Sequence, residues 1–365
     1  MQNTNQILMI RPVDFKFNEQ TAVNNKFQQA DEEQQSDPGA AEGKTATESG
    51  NVSATEDKTA TESGNISATE DGTATESGNV SATEGSPAAD QRVATTEVQQ
   101  KALKEFDDFV DLLRKKGVDV TVIDDTLEPE TPDSIFPNNW ISFHDGFQIF
   151  LYPMFSENRR LERRQDIIDT LDKTFVIDRI TDMSTSEERG VYLEGTGSMV
   201  LDRENEIVYA CLSVRTHQEA LKYFCEKTYY TPVTFHAVDA EGFPIYHTNV
   251  MMCVGDHFAV VCLESIKNED EKAILLRSFE ENGKEVIEIS LDQMNHFAGN
   301  MLQVLNAKDE PLLVMSEQAY LSLNQEQITA LEQYNELIYS PLYTIEKNGG
   351  GSARCMLAEI HLDKK

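Results

Sequence analysis

Short apolar runs, each bounded by polar or turn residues, recur along most of this chain. Runs of this length, rich in Val, Ile, Phe and Tyr, are typical of buried strands. They predict strands at 7–13, 118–124, 147–153, 175–180, 198–202, 206–212, 258–264, 285–290 and 311–316. Apolar residues at helical spacing predict helices at 98–117, 158–173, 215–227, 267–282 and 316–334. Adjacent strand pairs are mixed with single helices, which indicates an α/β chain without the strict alternation of a doubly wound sheet or a TIM barrel.

The apolar pattern stops between residues 32 and 95. This stretch is mostly Ala, Thr, Ser, Gly and Glu, and it holds three near-identical units of fourteen residues that begin at Lys44, Lys58 and Gly72. Such a composition cannot bury enough apolar surface to offset the entropy lost on ordering, so we predict disorder rather than a solenoid. Folded patterns flank it on both sides. We therefore interpret 32–95 as an acidic, disordered insertion within a single domain that spans 1–365.

The acidic composition changes which partners are expected. A formal net charge of −33 disfavours nucleic acids and anionic membranes, since both attract Lys and Arg. No run of about 18 apolar residues predicts a membrane span, and the first residues lack the basic start and apolar core of a signal peptide. We expect a cytoplasmic protein with neither nucleic-acid nor membrane partners. The sequence is compatible with a homo-oligomer but does not decide the oligomeric state.

Cys355 is the cysteine with the most unusual surroundings. The five cysteines are odd in number and lack C-x-x-C spacing, which indicates reduced thiols rather than disulfides or a zinc site. Four of them, Cys211, Cys225, Cys253 and Cys262, lie inside apolar segments and are typical of small buried hydrophobes. Cys355 instead follows three glycines in NGGGSARC, where another group can approach the backbone closely. A buried thiol and a loop that presents a nucleophile both stay open at this point.

Four polar stretches interrupt otherwise apolar segments. They are FPNNWISFH at 136–144, LEGTGS at 193–198, YHTNVMM at 246–252 and GGGSARCM at 349–356. Together with MIRP near the start and SVRTH at 213–217, the set resembles the motifs of the pentein superfamily, the arginine deiminases and amidinotransferases that attack a guanidino or ureido carbon with a cysteine. The resemblance is closest to the citrulline-utilisation hydrolases and covers the chain outside the repeats. It implies an α/β-propeller of five ββαβ modules around a central channel.

The resemblance also implies the catalytic residues. Cys355 would be the nucleophile, His247 the general acid/base and Glu194 a carboxylate in the same site. A thiolate nucleophile needs such a histidine to move protons and a carboxylate to orient the histidine. Taken singly, His247 would be a satisfied histidine at a strand start and Glu194 a solvated turn residue. The complete motif set favours the catalytic roles.

Asn139 and Asn249 carry the substrate prediction. In the arginine-processing members, the positions that match Asn139 in FPNN and Asn249 in HTN are aspartates that bind the substrate guanidinium. A guanidinium is a cation with only donors, which carboxylates match. An amide can instead donate to a ureido oxygen and accept from a ureido NH₂, and it avoids burying charge against a neutral group. The double exchange predicts a neutral ureido substrate such as citrulline rather than arginine.

Arginines for a substrate carboxylate are also present. Arg215 in SVRTH matches a carboxylate-binding arginine of the deiminases, and Arg159 in MFSENRR lies where another is expected, with Arg160 and Arg163 as alternatives. The planar fork of Arg binds a carboxylate bidentately. A solvated helix face is the other interpretation of this cluster. A further family arginine, expected just before the cysteine loop, is not matched, because Lys347 and the glycines occupy that stretch.

The sequence thus predicts a cofactor-independent hydrolase of the citrulline ureido group. An S-carbamoyl enzyme would form and be hydrolysed, giving ornithine, ammonia and carbon dioxide. No metal-binding spacing, G-x-G-x-x-G or Walker A motif is present, so neither a metal nor a nucleotide cofactor is predicted. Two alternatives stay open. One is an arginine deiminase or amidinotransferase-like enzyme, against which the two asparagines argue; the other is a catalytically silent pentein scaffold that binds a partner.

Overall fold

Small sheets of three strands build the fold. The computed structural model describes residues 1–29 and 96–365, and in this part of the chain the strands form five such sheets. In each sheet the middle strand pairs antiparallel with one neighbour and parallel with the other. A parallel pair needs a crossover connection, which here carries helix, so each module is a ββαβ unit. The predicted α/β fold of five ββαβ modules is confirmed.

The first sheet joins strands from distant parts of the sequence. It contains β1 (Gln6–Arg11), β2 (Asp119–Asp124) and β15 (Ala358–Glu359), with β1 in the middle. Residue Ile7 of β1 lies opposite Val120 on one side and Glu359 on the other. Strands on both sides of 30–95 therefore pair within one sheet. The predicted repeat insertion at 32–95 and its predicted disorder lie outside the described residues.

The other four modules follow in chain order. Their strands are β3 (Ile141–His144), β4 (Gln148–Leu151) and β5 (Arg179–Asp182); β6 (Val200–Asp202), β7 (Ile207–Cys211) and β8 (Thr231–Phe235); β9 (Met252–Val254), β10 (Phe258–Val261) and β11 (Glu285–Glu288); and β12 (Leu302–Leu305), β13 (Pro311–Ser316) and β14 (Glu336–Ser340). The helices are α1 (Glu19–Ala22), α2 (Glu97–Lys115), α3 (Glu157–Arg160), α4 (Gln165–Asp172), α5 (Gly195–Ser198), α6 (Gln218–Thr228), α7 (Glu269–Glu281), α8 (Leu291–Asn295), α9 (Glu317–Ser322), α10 (Gln325–Glu332) and α11 (Tyr343–Gly349). Among the helices of 1–29 and 96–365, none is long and apolar enough to cross a bilayer.

Helix α2 shows how the crossover helices are held. Thr96 caps its first turn by accepting from the backbone N–H of Gln99, and basic residues occupy its last turn, which suits the helix dipole. Phe106, Phe109 and Leu113 form its buried face and belong to one apolar cluster with residues of β1 and β12. Burial of side chains of this size contributes about 1.5–3 kcal/mol each. The helix is therefore fixed to the modules by its apolar stripe.

Three predicted elements differ from the structure. The predicted helix at 316–334 is divided into α9 and α10, because Asn324 caps a new helix in a capping box with Gln327. The predicted helix at 158–173 is divided into α3 and α4, and the turn between them brings Glu162 back to Arg159. The predicted strand at 175–180 is displaced, since β5 begins at Arg179 in register with β4.

Candidate active site

Each module begins with a short polar segment directly before its first strand. Helical turns at Pro137–Asn139, α5, Thr248–Val250 and Ala353–Met356 precede β3, β6, β9 and β15, and Asn300 lies two residues before β12. Several of these turns contact one another. We call the segment directly before the first strand of each module its corner. The polar motifs of the sequence become neighbours because these corners meet around one cavity. Cys355, His247, Asn139, Arg159 and Arg215 all line it.

The glycine run places Cys355 against the cavity. Gly350 has φ +64, a left-handed conformation that Gly adopts without penalty. A Cβ there would lie 2.5 Å from the side-chain nitrogen of Asn25, so only Gly allows that side chain to approach. The backbone oxygen of Gly350 accepts from the Tyr246 hydroxyl at 2.9 Å. The loop is therefore pinned from two sides, and it leaves Cys355 only 6% exposed at the cavity wall.

His247 and Glu194 form a buried pair, and His247 lines the same cavity as Cys355. Nε2 of His247 lies 2.7 Å from Oε2 of Glu194. Burial opposes the charged form of Glu194, but the Arg215 guanidinium and the bond to His247 outweigh it and hold the pKa of that carboxyl well below its usual range. Glu194 is therefore an ionised acceptor, which assigns the proton of a neutral imidazole to Nε2. Nδ1 of His247 is left free to accept a proton.

The imidazole of His247 is neutral in the resting site. Burial lowers the pKa of His247 to about 4, and Glu194 only partly opposes that effect. Because the pKa lies well below neutral pH, the ring begins a reaction as a base rather than as an acid. Glu194 lies behind the ring and also accepts from the backbone N–H of Phe155 at 2.9 Å. Its contact is with His247, which it orients, and it does not line the cavity.

The LEGTGS stretch supplies the supports of this pair. Ser198 Oγ accepts from the backbone N–H of Glu194 at 2.9 Å and donates to the Arg215 carbonyl at 2.7 Å. Gly197 lies beneath the reactive groups: a Cβ there would lie 2.3 Å from Nδ2 of Asn139 and 2.8 Å from Nδ1 of His247. Any side chain at Gly197 would displace one or both. Small residues in this motif therefore bring the base and the amide together.

Asn139 and Asn249 present unused polar atoms of opposite kind. Oδ1 of Asn139 accepts from the Arg159 guanidinium at 2.7 Å, which fixes the amide orientation and leaves Nδ2 as a donor. This buried Nδ2 finds no partner in the described part of the chain. Nδ2 of Asn249 lies 3.5 Å from Cys355 Sγ, and its buried Oδ1 likewise has no partner among residues 1–29 and 96–365. Asn139 lines the same cavity as Cys355, whereas Asn249 is not part of the cavity lining and reaches the site through its contact with Sγ.

The two predicted substrate arginines differ in their surroundings. Arg159 is buried and binds Glu162 through two hydrogen bonds of 2.9 Å, besides its bond to Asn139. Glu162 thus already occupies two donors of the Arg159 guanidinium. A third donor, Nη1, orients the amide of Asn139. Arg160 and Arg163 donate to backbone oxygens and to Glu187 instead. Of the three candidates in this cluster, the cavity lining includes Arg159.

Arg215 lies between the catalytic pair and the N-terminal segment. Its Nη1 is 3.5 Å from Oε2 of Glu194, and its Nη2 donates to the backbone oxygen of Thr21 at 3.0 Å. Both Nε and Nη2 donate to Oδ1 of Asn24. Two donors of one guanidinium thus converge on one side-chain oxygen, the geometry that also suits a carboxylate.

Some cavity residues were not predicted from the sequence. The segment at 18–29 covers the site, and its Thr21 and Asn25 line the cavity together with Asp133. Burial raises the pKa of Asp133 against the opposing effects of Arg159 and Asn18, and its Oδ1 lacks a partner in the described ranges. Asp133 stands three residues before the FPNN motif. Its closeness to that motif is the sequence signal that could have identified it. Residues 18–29 carry no comparable motif.

The cavity is small in this structure. Its volume is about 20 Å³, enough for about one water molecule. An amino acid is larger, so a substrate would need the lining to rearrange. A second, wider cavity of about 640 Å³ lies next to the end of the segment at 18–29. Its lining includes Phe27, Asp239 and Glu346. Its described lining contains neither cysteine nor histidine, so we place the chemistry in the smaller cavity.

Comparisons with known proteins agree with this architecture. Among solved structures, the product-bound N-terminal domain of ArgZ, an arginine dihydrolase from the ornithine-ammonia cycle in cyanobacteria, is 16% identical with a TM-score of 0.58, over 72% of this chain and 86% of that chain. Full-length ArgZ without ligand is 15% identical with a TM-score of 0.58, over 72% of this chain and 36% of that longer chain. Dimethylarginine dimethylaminohydrolase, as an adduct with S-methyl-L-thiocitrulline, is 15% identical with a TM-score of 0.54, over 73% and 92%. At such identities these likenesses show the shared fold.

The sequence comparison is more specific. No curated protein matches the chain. A family model described as N,N dimethylarginine dimethylhydrolase, eukaryotic, matches residues 79–362, which include every motif from FPNN to GGGSARC. With that match over most of its length, the chain belongs to the N,N dimethylarginine dimethylhydrolase family, within the pentein superfamily.

Proposed function

We propose that this protein hydrolyses the ureido group of citrulline or of a closely related ureido amino acid. The observation that carries the proposal is a pair of amide atoms without partners in the described part of the chain: the Nδ2 donor of Asn139 and the Oδ1 acceptor of Asn249. Asn139 lines the cavity of Cys355, and the Asn249 amide contacts Cys355 Sγ at 3.5 Å. A buried polar atom without a partner costs free energy unless a ligand satisfies it. The substrate should therefore offer one acceptor and one donor to these two amides.

A ureido group meets this requirement better than a guanidinium. Its oxygen accepts from Asn139 Nδ2, while its NH₂ donates to Asn249 Oδ1. A guanidinium has only donors, so the Nδ2 of Asn139 would stay without a partner and would face a cation. The same Nδ2 would also donate to the oxygen as negative charge develops there, which is where such a donor helps catalysis most.

The remaining cavity residues suit the amino acid end of the substrate. Arg215 has a guanidinium whose two donors converge on the covering segment, and a substrate carboxylate could take the place of Asn24 there. Asp133 has a free carboxylate oxygen that could accept from an α-ammonium. The predicted role of Arg159 in carboxylate binding is less favoured, because Glu162 already binds its fork.

The reaction we propose proceeds through a covalent intermediate. As Cys355 Sγ adds to the ureido carbon, its proton passes to Nδ1 of His247, and Glu194 stabilises the imidazolium. His247 then protonates the departing δ-nitrogen, so ornithine leaves and an S-carbamoyl enzyme remains. A water gives its proton to His247 and attacks the carbamoyl carbon. The C–S bond breaks, the sulfur recovers a proton from His247, and carbamic acid leaves and decays to ammonia and carbon dioxide.

A second candidate is hydrolysis of a guanidino substrate. The family model is named for N,N-dimethylarginine, and ArgZ is described as an arginine dihydrolase. The observation that favours it is Asp133, a buried carboxylate with a free oxygen in the cavity. Under this candidate Asp133 would bind the guanidinium rather than an α-ammonium. The placement of the chain among citrulline hydrolases thus remains a proposal within the family.

One assay separates the candidates. The full-length protein is incubated with citrulline, arginine or N,N-dimethylarginine, and ornithine, citrulline, dimethylamine and ammonia are measured. Ornithine from citrulline, lost in Cys355→Ala, is the expected result. Cys225→Ala, which removes a buried thiol of helix α6, is the matched control and should stay active. Turnover of either arginine compound but not citrulline selects the second candidate, and no turnover at all contradicts both and favours a silent scaffold.

A further inference from the structure

Asn300 is a buried residue to which neither the motifs nor the comparisons assign a role. It lies in the segment AGNML before β12 and is 1% exposed. Its position matches the corners that carry Asn139 before β3 and Cys355 before β15. The corner before β12, the fourth in chain order, therefore also places a side chain at the sulfur of Cys355.

The hydrogen bonds of Asn300 fix the orientation of its amide. Oδ1 accepts from the backbone N–H of Arg354 at 3.0 Å, and Nδ2 donates to the backbone oxygen of Asn249 at 2.9 Å. A backbone N–H can only donate and a carbonyl can only accept, so the amide cannot be reversed. The second N–H of Nδ2 is left for Cys355 Sγ, which lies 3.3 Å away. Oδ1 is farther from the sulfur, at 3.7 Å.

We propose that Asn300 is a catalytic residue that stabilises the thiolate of Cys355. Its Nδ2 donates to Sγ from one side, and Nδ2 of Asn249, at 3.5 Å, donates from another. Hydrogen bonds from donors favour the charged form of an acceptor. The proposal rests on the proposed function only in taking Cys355 as the nucleophile.

The surroundings explain why amide donors are needed. A cysteine is commonly activated by a neighbouring cation or a protonated histidine. His247 is neutral in the resting site. The Arg354 side chain, although adjacent in sequence, donates away from the cavity, to the backbone oxygen of Leu357 and to Glu359. Among residues 1–29 and 96–365, the side-chain donors within reach of the sulfur are therefore two neutral amides.

A purely structural role for Asn300 has to be distinguished. Its other bonds tie the Arg354 corner to the Asn249 corner, so a substitution could loosen the site without acting on the sulfur. Activity alone would not separate the two roles. The pKa of the Cys355 thiol does, because the lost donor and any added charge act on it directly.

The test measures alkylation of Cys355 by iodoacetamide against pH, read by mass spectrometry of its peptide. Asn300→Ala removes the donor, and Asn300→Asp removes it and adds a carboxylate, so the apparent thiol pKa should rise from wild type to Asn300→Ala to Asn300→Asp. We expect a rise of about 1–2 units for Asn300→Asp. Burial raises the pKa of Cys211 and Cys253 to about 12, so their peptides serve as slow references.

The controls keep the outcome decisive. Asn268→Asp makes the same charge change at the N-cap of α7, where Asp also caps well, and it should leave the Cys355 profile unchanged. Thermal unfolding shows whether each variant is folded, and Asn300→Ala carries the test if Asn300→Asp is not. Folded variants with the wild-type thiol pKa would overturn the proposal. The alkylation needs no substrate, so a failure to hydrolyse citrulline leaves this result interpretable.

Discussion

At the scale of single residues, the proposed selectivity rests on atoms that the described part of the protein leaves without partners. The charged groups of the site hold other side chains: the Arg159 guanidinium donates to Asn139, and the Glu194 carboxylate accepts from His247. In the function we propose, the substrate meets a neutral donor from Asn139 and a neutral acceptor from Asn249 at one end. At the other end it meets the Asp133 carboxylate and the Arg215 guanidinium. The charge that the substrate must carry at each end can be argued from these atoms.

The first prediction changes the charge of the amide pair. In the double variant Asn139→Asp with Asn249→Asp, kcat/KM for citrulline should fall by about 10-fold or more, because a carboxylate cannot donate to the ureido oxygen and each 1.4 kcal/mol is a factor of 10. Asn268→Asp with Asn324→Asp is the control of equal charge at two helix N-caps. Unchanged citrulline kinetics in the site variant would contradict the substrate assignment.

The second prediction concerns pH and stability. His247 has a pKa of about 4 when folded and about 6.5 when unfolded. Between these values the unfolded chain binds more protons, so stability is lost as pH falls through that window. The loss from His247 between pH 7 and 4.5 should be about 2–3 kcal/mol.

Urea unfolding at several pH values checks the pH prediction. His247→Gln should lose less stability than the wild type over the same window, by about that 2–3 kcal/mol. His296→Gln, at a much more exposed histidine, should follow the wild type. Parallel pH curves for the wild type and His247→Gln would show that the ring is not held neutral by burial.

At the scale of elements, the segment at 18–29 covers one side of the cavity. Asn18 anchors it: its Oδ1 accepts from the backbone N–H of Gln20 at the start of α1, and its Nδ2 donates to Asp133 at 2.8 Å. Thr21 donates to the same carboxylate at 3.1 Å. Because the cavity is smaller than an amino acid, we infer that the segment opens for substrate and is then held by Asp133 and Arg215.

The third prediction loosens this segment. Asn18→Ala removes the cap and the bond to Asp133, so KM should rise several-fold while kcat changes less. Asn324→Ala removes the N-cap of α10, away from the cavity, and should cost a similar 0.5–2 kcal/mol or so of stability without the change in KM. Steady-state kinetics with thermal unfolding measure both. An equal change in KM for the two variants would show that general destabilisation is the cause.

At the scale of the whole molecule, the five modules bring together residues that are far apart in sequence. Strand β1 pairs with β2 across the region 30–95, so the fold requires the two sides of that region and not a particular length between them. The fourth prediction is that deletion of 32–95 leaves kcat/KM and the unfolding temperature close to those of the full chain, since the entropy of closing a loop depends only weakly on the number of residues in it. Loss of activity would show that the repeats contribute to the site or to assembly.

Sequence reasoning reached the fold class and most of the cavity, for identifiable reasons. Cys355, His247 and Glu194 lie in distinctive motifs, and central strands such as β7 and β13 are continuous apolar runs. Short strands such as β9 and β12 were not predicted, because three or four residues carry too little periodicity. Asn300 was missed because the segment AGNML has no unusual composition. The proposed role of Asn300 depends on its distance from Cys355 in the folded chain, which the sequence does not show. Which arginine is free likewise depends on contacts such as Glu162 with Arg159.

The convergence of module corners has a consequence for how such sites diversify. The Asn139 amide is held by Arg159, whereas the Cys355 loop is held by Tyr246 and the His247 ring by Glu194. The Asn139 corner can therefore exchange amide for carboxylate while Cys355 keeps its loop and His247 keeps Glu194. In the function we propose, such an exchange changes the substrate charge that the cavity suits without removing the supports of the reacting groups.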